Sequence, residues 1–344
     1  MEQTTMEFKI DTDKSHLIGK GGFGVVYPAY DKNEKSDTLK YVAKLLPEIH
    51  SKSKDLTSIE NELLVATHCD NDNLVKFHGL TDVGNRIYMI FEYCNGGDLN
   101  NFTTKYKEKY NKEIEEKDAL IIIKGITNGL YCLHRNGITH RDIKPANILL
   151  HFENKEALEN LDLNKCTVKI ADFGLSIFRA TDDGSSKAGT KTYMDPLIIF
   201  DDTKDSKKRE SDKTDIWSLG ILCYKLLFQS HPFIDHYAFK NQTYMTQYAK
   251  NVQKGKYDIP IYNTTKISLE SICFIDSCLK KEQNYRKTSE ELVYSRFLTR
   301  PYEKFNFVFQ DNIEKVINEN LREKNISIIL NIFDKELFED KINI

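Results

Sequence analysis

The feature that most constrains this 344-residue chain is a change in the spacing of its apolar residues near position 95. Before it they come in short runs. FGVVY (23–27) and YVAKLL (41–46) flank the polar turn DKNEKSDT, and LVKFHGL (74–80) and IYMIFEY (87–93) follow, as expected of antiparallel strands joined by hairpins. One stretch among them, LTSIENELLVATH (56–68), places Leu56, Ile59, Leu63 and Ala66 at helical spacing. After the glycine-bearing break CNGGDL (94–99) the pattern lengthens. KDALIIIKGITNGLYCLHRNG (117–137), DIWSLGILCYKLLF (215–228) and ISLESICFIDSCLKK (267–281) are long and apolar enough to be buried helices. A single core stops growing near roughly 250–300 residues, so this length also favours two lobes. The expected fold class is α+β, with a small β-rich lobe carrying one key helix over about 12–93 and a larger, mainly helical lobe over about 95–300.

A formal net charge of −3, with 29% charged residues, offers no bulk attraction to nucleic acid or to an anionic membrane, so neither is expected as a partner. The seven cysteines are scattered and form no Cys-x-x-Cys pair, which indicates neither a disulfide framework nor a zinc site. They read as reduced thiols of a cytoplasmic protein, with the nucleus left open. The N-terminal MEQTTMEFKIDTDK has no basic-then-apolar signal region, and no run approaches the roughly 18 apolar residues of a membrane span. HFENKEALENLDLNKC (151–166) and DDTKDSKKRE (201–210) read as inserted, solvated loops, the first as an exposed hairpin extension. Beyond 300, Ile313, Val316, Ile317 and Leu321 mark an amphipathic helix that could dock on the helical lobe, bind a partner or begin a further domain.

Chemistry enters with GKGGFGVVY (19–27), where Gly19, Gly21, Gly24 and Val26 fit a glycine hairpin whose backbone N–H groups can lie over phosphates. Glycine hairpins also serve as plain turns. The strand-like residues on both sides argue against a dinucleotide-binding unit. Lys44, projecting from an apolar strand, needs a partner, and Glu62 on the next helix is the natural one. In HRDIKPANILL (140–150), Asp142 and Asn147 sit on either side of Lys144, as if a carboxylate accepts a hydroxyl proton, an amide holds a metal and an ammonium steadies a phosphate. Asp172, in KIADFGLS, ends a strand ahead of a Phe-Gly pair that permits a backbone swing.

Together with GTKTYMDP (189–196) and DIWSLG (215–220), this order resembles the eukaryotic protein kinases over roughly residues 12–300, in their serine/threonine-specific branch. The resemblance implies a bilobal catalytic domain over 1–300, a helical tail over 301–344, and a signal-transduction enzyme that uses ATP and Mg2+ to phosphorylate protein hydroxyls. Gly19, Lys20, Gly21, Gly22, Phe23 and Gly24 would cover the nucleotide phosphates, and Lys44 would hold the α- and β-phosphates while paired with Glu62. Asp142 would be the catalytic base, Lys144 would contact the transferred phosphate, and Asn147 and Asp172 would hold magnesium. Glu92 and Cys94 would offer hinge backbone to the adenine, with Phe91 guarding the back pocket, Asp98 near the ribose, and Val26, Val42 and Leu149 around the ring. Lys144 two residues after Asp142, together with Thr190 in GTKTY, resembles the serine/threonine branch, and Leu175 after DFG leans towards serine. Ala146 gives no sign of a demand for basic residues in the substrate.

By the same resemblance Arg141 would receive a phosphate on the 172–196 loop, which contains Thr181, Ser185, Ser186, Thr190 and Thr192; Ser186, modified by an upstream kinase or by trans-autophosphorylation, fits best. Several residues depart from the family pattern. Val42 stands for alanine, Pro28 removes a backbone donor, Ala66 is small for its column, and Leu197 in YMDPLIIF stands where a glutamate pairs with a buried arginine, here Arg286. Asp195 is the nearest substitute, and Leu197→Glu is expected to raise the melting temperature. A binding scaffold of the pseudokinase type and a small-molecule phosphotransferase are the rival readings.

Overall fold

The structure is a computed structural model that describes residues 7–308 apart from 22–23, 35–37, 47–52, 179–188, 201–210, 236–237, 239–243, 255–256, 258–266 and 305–306. Strands β1 (Phe8–Ile10), β2 (Gly19–Gly21), β3 (Gly24–Asp31), β4 (Tyr41–Leu45), β5 (Phe77–Val83) and β6 (Arg86–Glu92) form one antiparallel sheet in the order β1-β3-β4-β6-β5, with β2 hairpinned onto β3. Register sorts its side chains. Val26 lies opposite Lys44, Lys44 opposite Met89 and Val42 opposite Phe91, so these share one face. The alternate residues Tyr27, Ala29, Tyr41, Ala43 and Ile90 turn to the other face and pack with Phe8, Ile10 and Tyr88 into a small core. A one-residue slip would drive Lys44 into that core, which is why the register is strongly specified.

Helix α1 (Ser53–His68) connects β4 to β5 and presents Glu62 and Val65 inward, both buried. The chain then crosses to the helical lobe through β7 (Gly97–Asp98) and α2 (Leu99–Tyr110). Asp98 caps α2 by accepting the Asn101 N–H at 3.0 Å. The axis of this lobe is α3 (Glu116–Arg135), whose Ala119, Ile122, Ile123, Ile126, Leu130 and Leu133 are wholly buried at spacings of three and four.

Short strands follow α3 and carry the polar motifs: β8 (Ile138–Thr139), β9 (Ile148–Phe152), β10 (Cys166–Ile170) and β11 (Ile177–Phe178). β9 is the middle strand between β10 and β7, and β8 pairs with β11. The stretch 151–166 is not the solvated loop expected of it. It holds α4 (Lys155–Asn160), capped by Asn154, and buries Phe152, Ala157 and Leu163.

The rest of the lobe comprises α5 (Pro196–Phe200), α6 (Lys213–Phe228), α7 (Tyr244–Lys254), β12 (Ile267–Ser268), α8 (Leu269–Cys278), α9 (Ser289–Val293), α10 (Arg296–Thr299) and β13 (Phe307–Val308). Helix α6 is buried nearly all round, as its apolar sequence requires. β13 pairs with β12, so the chain just past 300 lies against the helical lobe. The charged run 201–210 and the expected helix around Ile313–Leu321 fall outside the described residues. Among the described residues no helix is long and apolar enough to cross a membrane.

Candidate active site

The polar motifs converge where the two lobes meet, on loops whose backbone is held from below by one carboxylate. Asp215, fully buried in the first turn of α6, accepts the backbone N–H groups of His140 (2.7 Å) and Arg141 (2.8 Å) and the imidazole Nε2–H of His134 (2.9 Å). Burial alone would raise its carboxyl, but the hydrogen bonds and charge of His134 and His140 outweigh that and hold it below its usual range. The buried anion thus clamps a loop that would otherwise relax, since Arg141 sits at φ 72°, a left-handed conformation that a bulky residue rarely keeps. His140 stands edge-on to Phe173 with ring centres 5.5 Å apart; its Nδ1 accepts from Asp142 N and its Nε2 donates to Ala171 O.

Asp142 emerges from this clamp with its carboxylate almost covered. Oδ2 accepts from Lys144 Nζ at 2.6 Å and from Asn147 Nδ2 at 3.0 Å, while Oδ1 accepts from the backbone N–H of Thr190 at 2.9 Å and its hydroxyl at 3.0 Å. Lys144 Nζ reaches the same Thr190 Oγ1 at 2.9 Å. One carboxylate therefore holds a hydroxyl and an ammonium side by side. Gly189 makes that approach possible, because at φ 112° a Cβ there would lie 2.6 Å from Arg141 O.

The Asp172 segment lies alongside, joined by Ala171 N donating to Asn147 O at 2.9 Å. Asp172 is itself left-handed at φ 66°. Lys44 reaches across from the sheet, pairing with Glu62 and lying 3.5 Å from Asp172 Oδ1. Burial alone would lower this ammonium, but the Glu62 and Asp172 carboxylates outweigh it and hold it above its ordinary value. Burial in turn pushes the Glu62 carboxyl up, against the pull of Lys44. Glu60, the alternative partner by spacing, is exposed.

Among the described residues there is no cluster of three or more His, Cys, Asp or Glu side chains able to hold a metal ion. The donor set that is present is an amide and a carboxylate. Asn147 commits its amide nitrogen to Asp142 O at 2.9 Å, which leaves its oxygen as the donor beside Asp172. So sparse and hard a set fits Mg2+, which keeps waters and takes phosphate oxygens for the rest of its shell.

Above the polar groups lies the sheet face with Val26, Val42 and Phe91, the last tilted against Phe77 at 5.6 Å. Asp98 and Leu149 face each other across β7 and β9. Glu92 is fixed by Lys169 Nζ at 2.8 Å and by the Lys76 N–H at 2.7 Å, and burial pushes the Cys94 thiol up to about 12. Gly22 and Phe23, and the side chain of Lys20, lie outside the described residues. So do Thr181, Ser185 and Ser186.

Leu197 leaves no orphan behind it. Arg286, 2% exposed, pairs through both terminal nitrogens with the buried Asp195, and its remaining N–H groups reach the carbonyls of Lys280 (2.7 Å), Lys213 (3.0 Å) and Lys281 (3.1 Å). The guanidinium also lies over Trp217, 4.7 Å from the ring centre. Every donor of the fork is used, so Arg286 is not left looking for an acid, and the premise of the Leu197→Glu expectation does not hold. Asp195 further accepts from Leu197 N and Gln283 Nε2, which anchors the segment after Thr190.

Asp215 and His134 did not stand out from the sequence as positioning groups. The available signal was an acidic residue opening an otherwise apolar helix, a poor place for a charge without buried partners.

A family model described as the protein kinase domain matches residues 12–298 of the chain. Among curated proteins, calcium-dependent protein kinase 4 of Plasmodium falciparum (isolate 3D7) is 33% identical over 254 residues, covering 73% of this chain and 42% of that protein. Calcium-dependent protein kinase 4 of Plasmodium berghei (strain Anka) is 32% identical over the same length and shares. The chain spans about two fifths of the length of these curated relatives.

Proposed function

The chain belongs to the protein kinase domain family, and from that premise we propose that it transfers the γ-phosphate of ATP to serine or threonine hydroxyls of proteins, with Asp142 as the catalytic base. The observation that carries this reading is the Thr190 hydroxyl donating to Asp142 Oδ1 at 3.0 Å with Lys144 Nζ 2.9 Å from the Thr190 hydroxyl oxygen. A substrate hydroxyl in that position would give its proton to Asp142 while Lys144 offset the charge on the incoming phosphoryl group. Lys44, kept charged by Glu62 and Asp172, would hold the nucleotide phosphates. Magnesium, when bound by Asn147 and Asp172, would neutralise phosphate charge. The hinge backbone of Glu92 and Cys94, with Asp98, Val26, Val42, Phe91 and Leu149, would receive the nucleoside, and Gly19 to Gly24 would cover its phosphates. Phosphoryl transfer asks little covalent chemistry of a protein beyond this positioning and charge neutralisation.

Further assignments rest on the sequence. The catalytic unit would span 1–300, with 301–344 as an appended tail. Phosphate on Ser186, received by Arg141, would raise the rate; a Ser186→Ala protein as fast as fully modified wild type would remove that part of the proposal. All seven cysteines are free thiols, which supports a cytoplasmic setting.

The reading is tested by incubating the chain with labelled ATP, Mg2+ and a generic serine-containing protein, then analysing the phosphoamino acids formed. Phosphoserine or phosphothreonine is expected. Phosphotyrosine alone would contradict the specificity, and no incorporation would favour a binding scaffold of the pseudokinase type.

A further inference from the structure

Lys44 and Lys225 are both withdrawn from water, but only one of them has acids beside it. The burial of Lys44 is offset by the carboxylates of Glu62 and Asp172. Lys225, partly buried on α6, meets no carboxylate among the described residues. Its Nζ donates to the Tyr193 hydroxyl at 2.7 Å and lies 4.7 Å from the centre of that ring. Burial pushes the ammonium below its ordinary range, and no described acid opposes the shift. A phenol and a π face are weak company for a cation taken out of water, where a charge is costly unless paired.

This cation sits under the loop that follows Thr190. Tyr193 N and Met194 N donate to Thr190 O at 2.9 and 3.1 Å, so Tyr193 stands one turn from the hydroxyl that Asp142 holds. Three side chains of the helical lobe fix the backbone there. His231 Nε2–H donates to Thr192 O, Ser218 Oγ–H to Tyr193 O and the Tyr248 hydroxyl to Met194 O, each at 2.8 Å. Ser218 and Lys225 lie two turns apart on one face of α6, so that face grips both ends of Tyr193. Burial pushes His231 down to about 4, and its neutral ring adds no charge. Lys191, two residues before Tyr193, is exposed, and Asp195, the acid of this loop, is taken up by Arg286. The loop is rigid, and its uncommitted charge is positive.

We propose that Lys225, with Lys191 on the same loop, forms a subsite for an anionic side chain, carboxylate or phosphate, that a protein substrate carries close to its acceptor hydroxyl. An ammonium has three donors and the phenol takes one, so an entering anion can be bound without displacing Tyr193. It would supply the counter-charge that the fold withholds from Lys225. A charge-assisted bond made in this partly desolvated place is stronger than one at the open surface. A basic residue in the same position would meet like charge and be rejected. The ligand's being a substrate rests on the function proposed above, whereas the binding of an anionic peptide does not.

The test uses the full chain and a fluorescent serine peptide in which glutamate, phosphoserine, alanine or lysine is placed in turn at each position flanking the acceptor. Binding is read by anisotropy without ATP. Wild type should bind its best glutamate or phosphoserine peptide about tenfold tighter than the alanine parent, and the lysine peptide more weakly. Whichever of the two anions binds tighter identifies the source, carboxylate or phosphate. Lys225→Met, which keeps the apolar stem, should lose the gap, Lys225→Arg should keep it, and Lys225→Glu should invert it in favour of lysine. Tyr193→Phe removes the phenol but not the cation and should also keep the gap. If Tyr193→Phe erases it as fully as Lys225→Met does, Lys225 only braces Tyr193 and the proposal fails. A wild type that binds all the peptides alike, or none, or a preference that survives in Lys225→Met, would equally overturn it. No phosphate is transferred in this assay, so failure of the proposed function shows separately, in the labelled-ATP experiment.

Discussion

Arg286 shows how one side chain can replace another without being its neighbour in the pattern. The buried guanidinium takes its carboxylate from Asp195 rather than from position 197, and backbone carbonyls absorb its other donors. Removing one member of a buried pair typically costs about 3–5 kcal/mol, so Asp195→Ala should lower stability by that order in urea unfolding. Leu197→Glu should lower the melting temperature, because a second carboxylate finds no donor left and sits beside Asp195; a rise would mean that Arg286 prefers the new partner. His231 offers a separate check through pH. Burial pushes its imidazole down to about 4, where Nε2–H donates to Thr192 O and Nδ1 accepts from Phe233 N. The unfolded ring takes up protons near its ordinary 6.5 and the folded ring does not, so stability is fully present above 6.5 and is lost as pH falls towards 4. From this ring alone the protein should be about 2 kcal/mol less stable at pH 5 than at pH 7. His231→Gln keeps a donor for Thr192 and should flatten the difference; an unchanged pH slope in that variant would assign it elsewhere.

Helix α3 runs so close to β10 that side chains are excluded along one line. A Cβ on Gly129 would lie 2.8 Å from both Asn73 O and Ile170 Cδ1, and one on Gly125 would lie 2.7 Å from Val168 Cβ. Gly129→Ala gains helix propensity but must push the helix off the strand, so a net loss of about 1–3 kcal/mol is expected from chemical denaturation. A stabilised Gly129→Ala protein would contradict so close a packing. How much of this was legible beforehand differs from element to element. α3 and α6 carry long apolar patterns that few other structures could bury, and the alternation in YVAKLL fixes which face Lys44 takes. Helix α4 was not legible. KEALEN is too short to display a period, and it forms because Asn154 caps it, Ala157 is buried, and Lys109 and Tyr110 on α2 donate to carbonyls at its end. The ordered motifs named the groups around Asp142, since their spacing reflects local chemistry. Asp215 and the Asp195–Arg286 pair depend on contacts between segments far apart in the chain, which spacing alone does not encode.

Taken as a molecule, the chain sets a sheet with one charged face over a helical block with one polar edge, and the groups proposed for catalysis lie between them. Lys44 with Glu62 comes from the upper part, and Asp142, Lys144, Asn147 and Asp172 come from loops that Asp215 and short β-pairs hold below. Neither part contains the whole set. The central claim is that Asp142 acts on a protein hydroxyl rather than merely bracing the loop, and the direct measurement compares phosphate transfer and nucleotide binding in wild type and Asp142→Asn. The asparagine keeps one acceptor oxygen for the Thr190 groups, puts an amide nitrogen in place of the oxygen that Lys144 and Asn147 use, and cannot accept the proton. Transfer should fall by about 10²–10⁴-fold while ATP affinity stays near wild type. Transfer undiminished in Asp142→Asn would contradict the account.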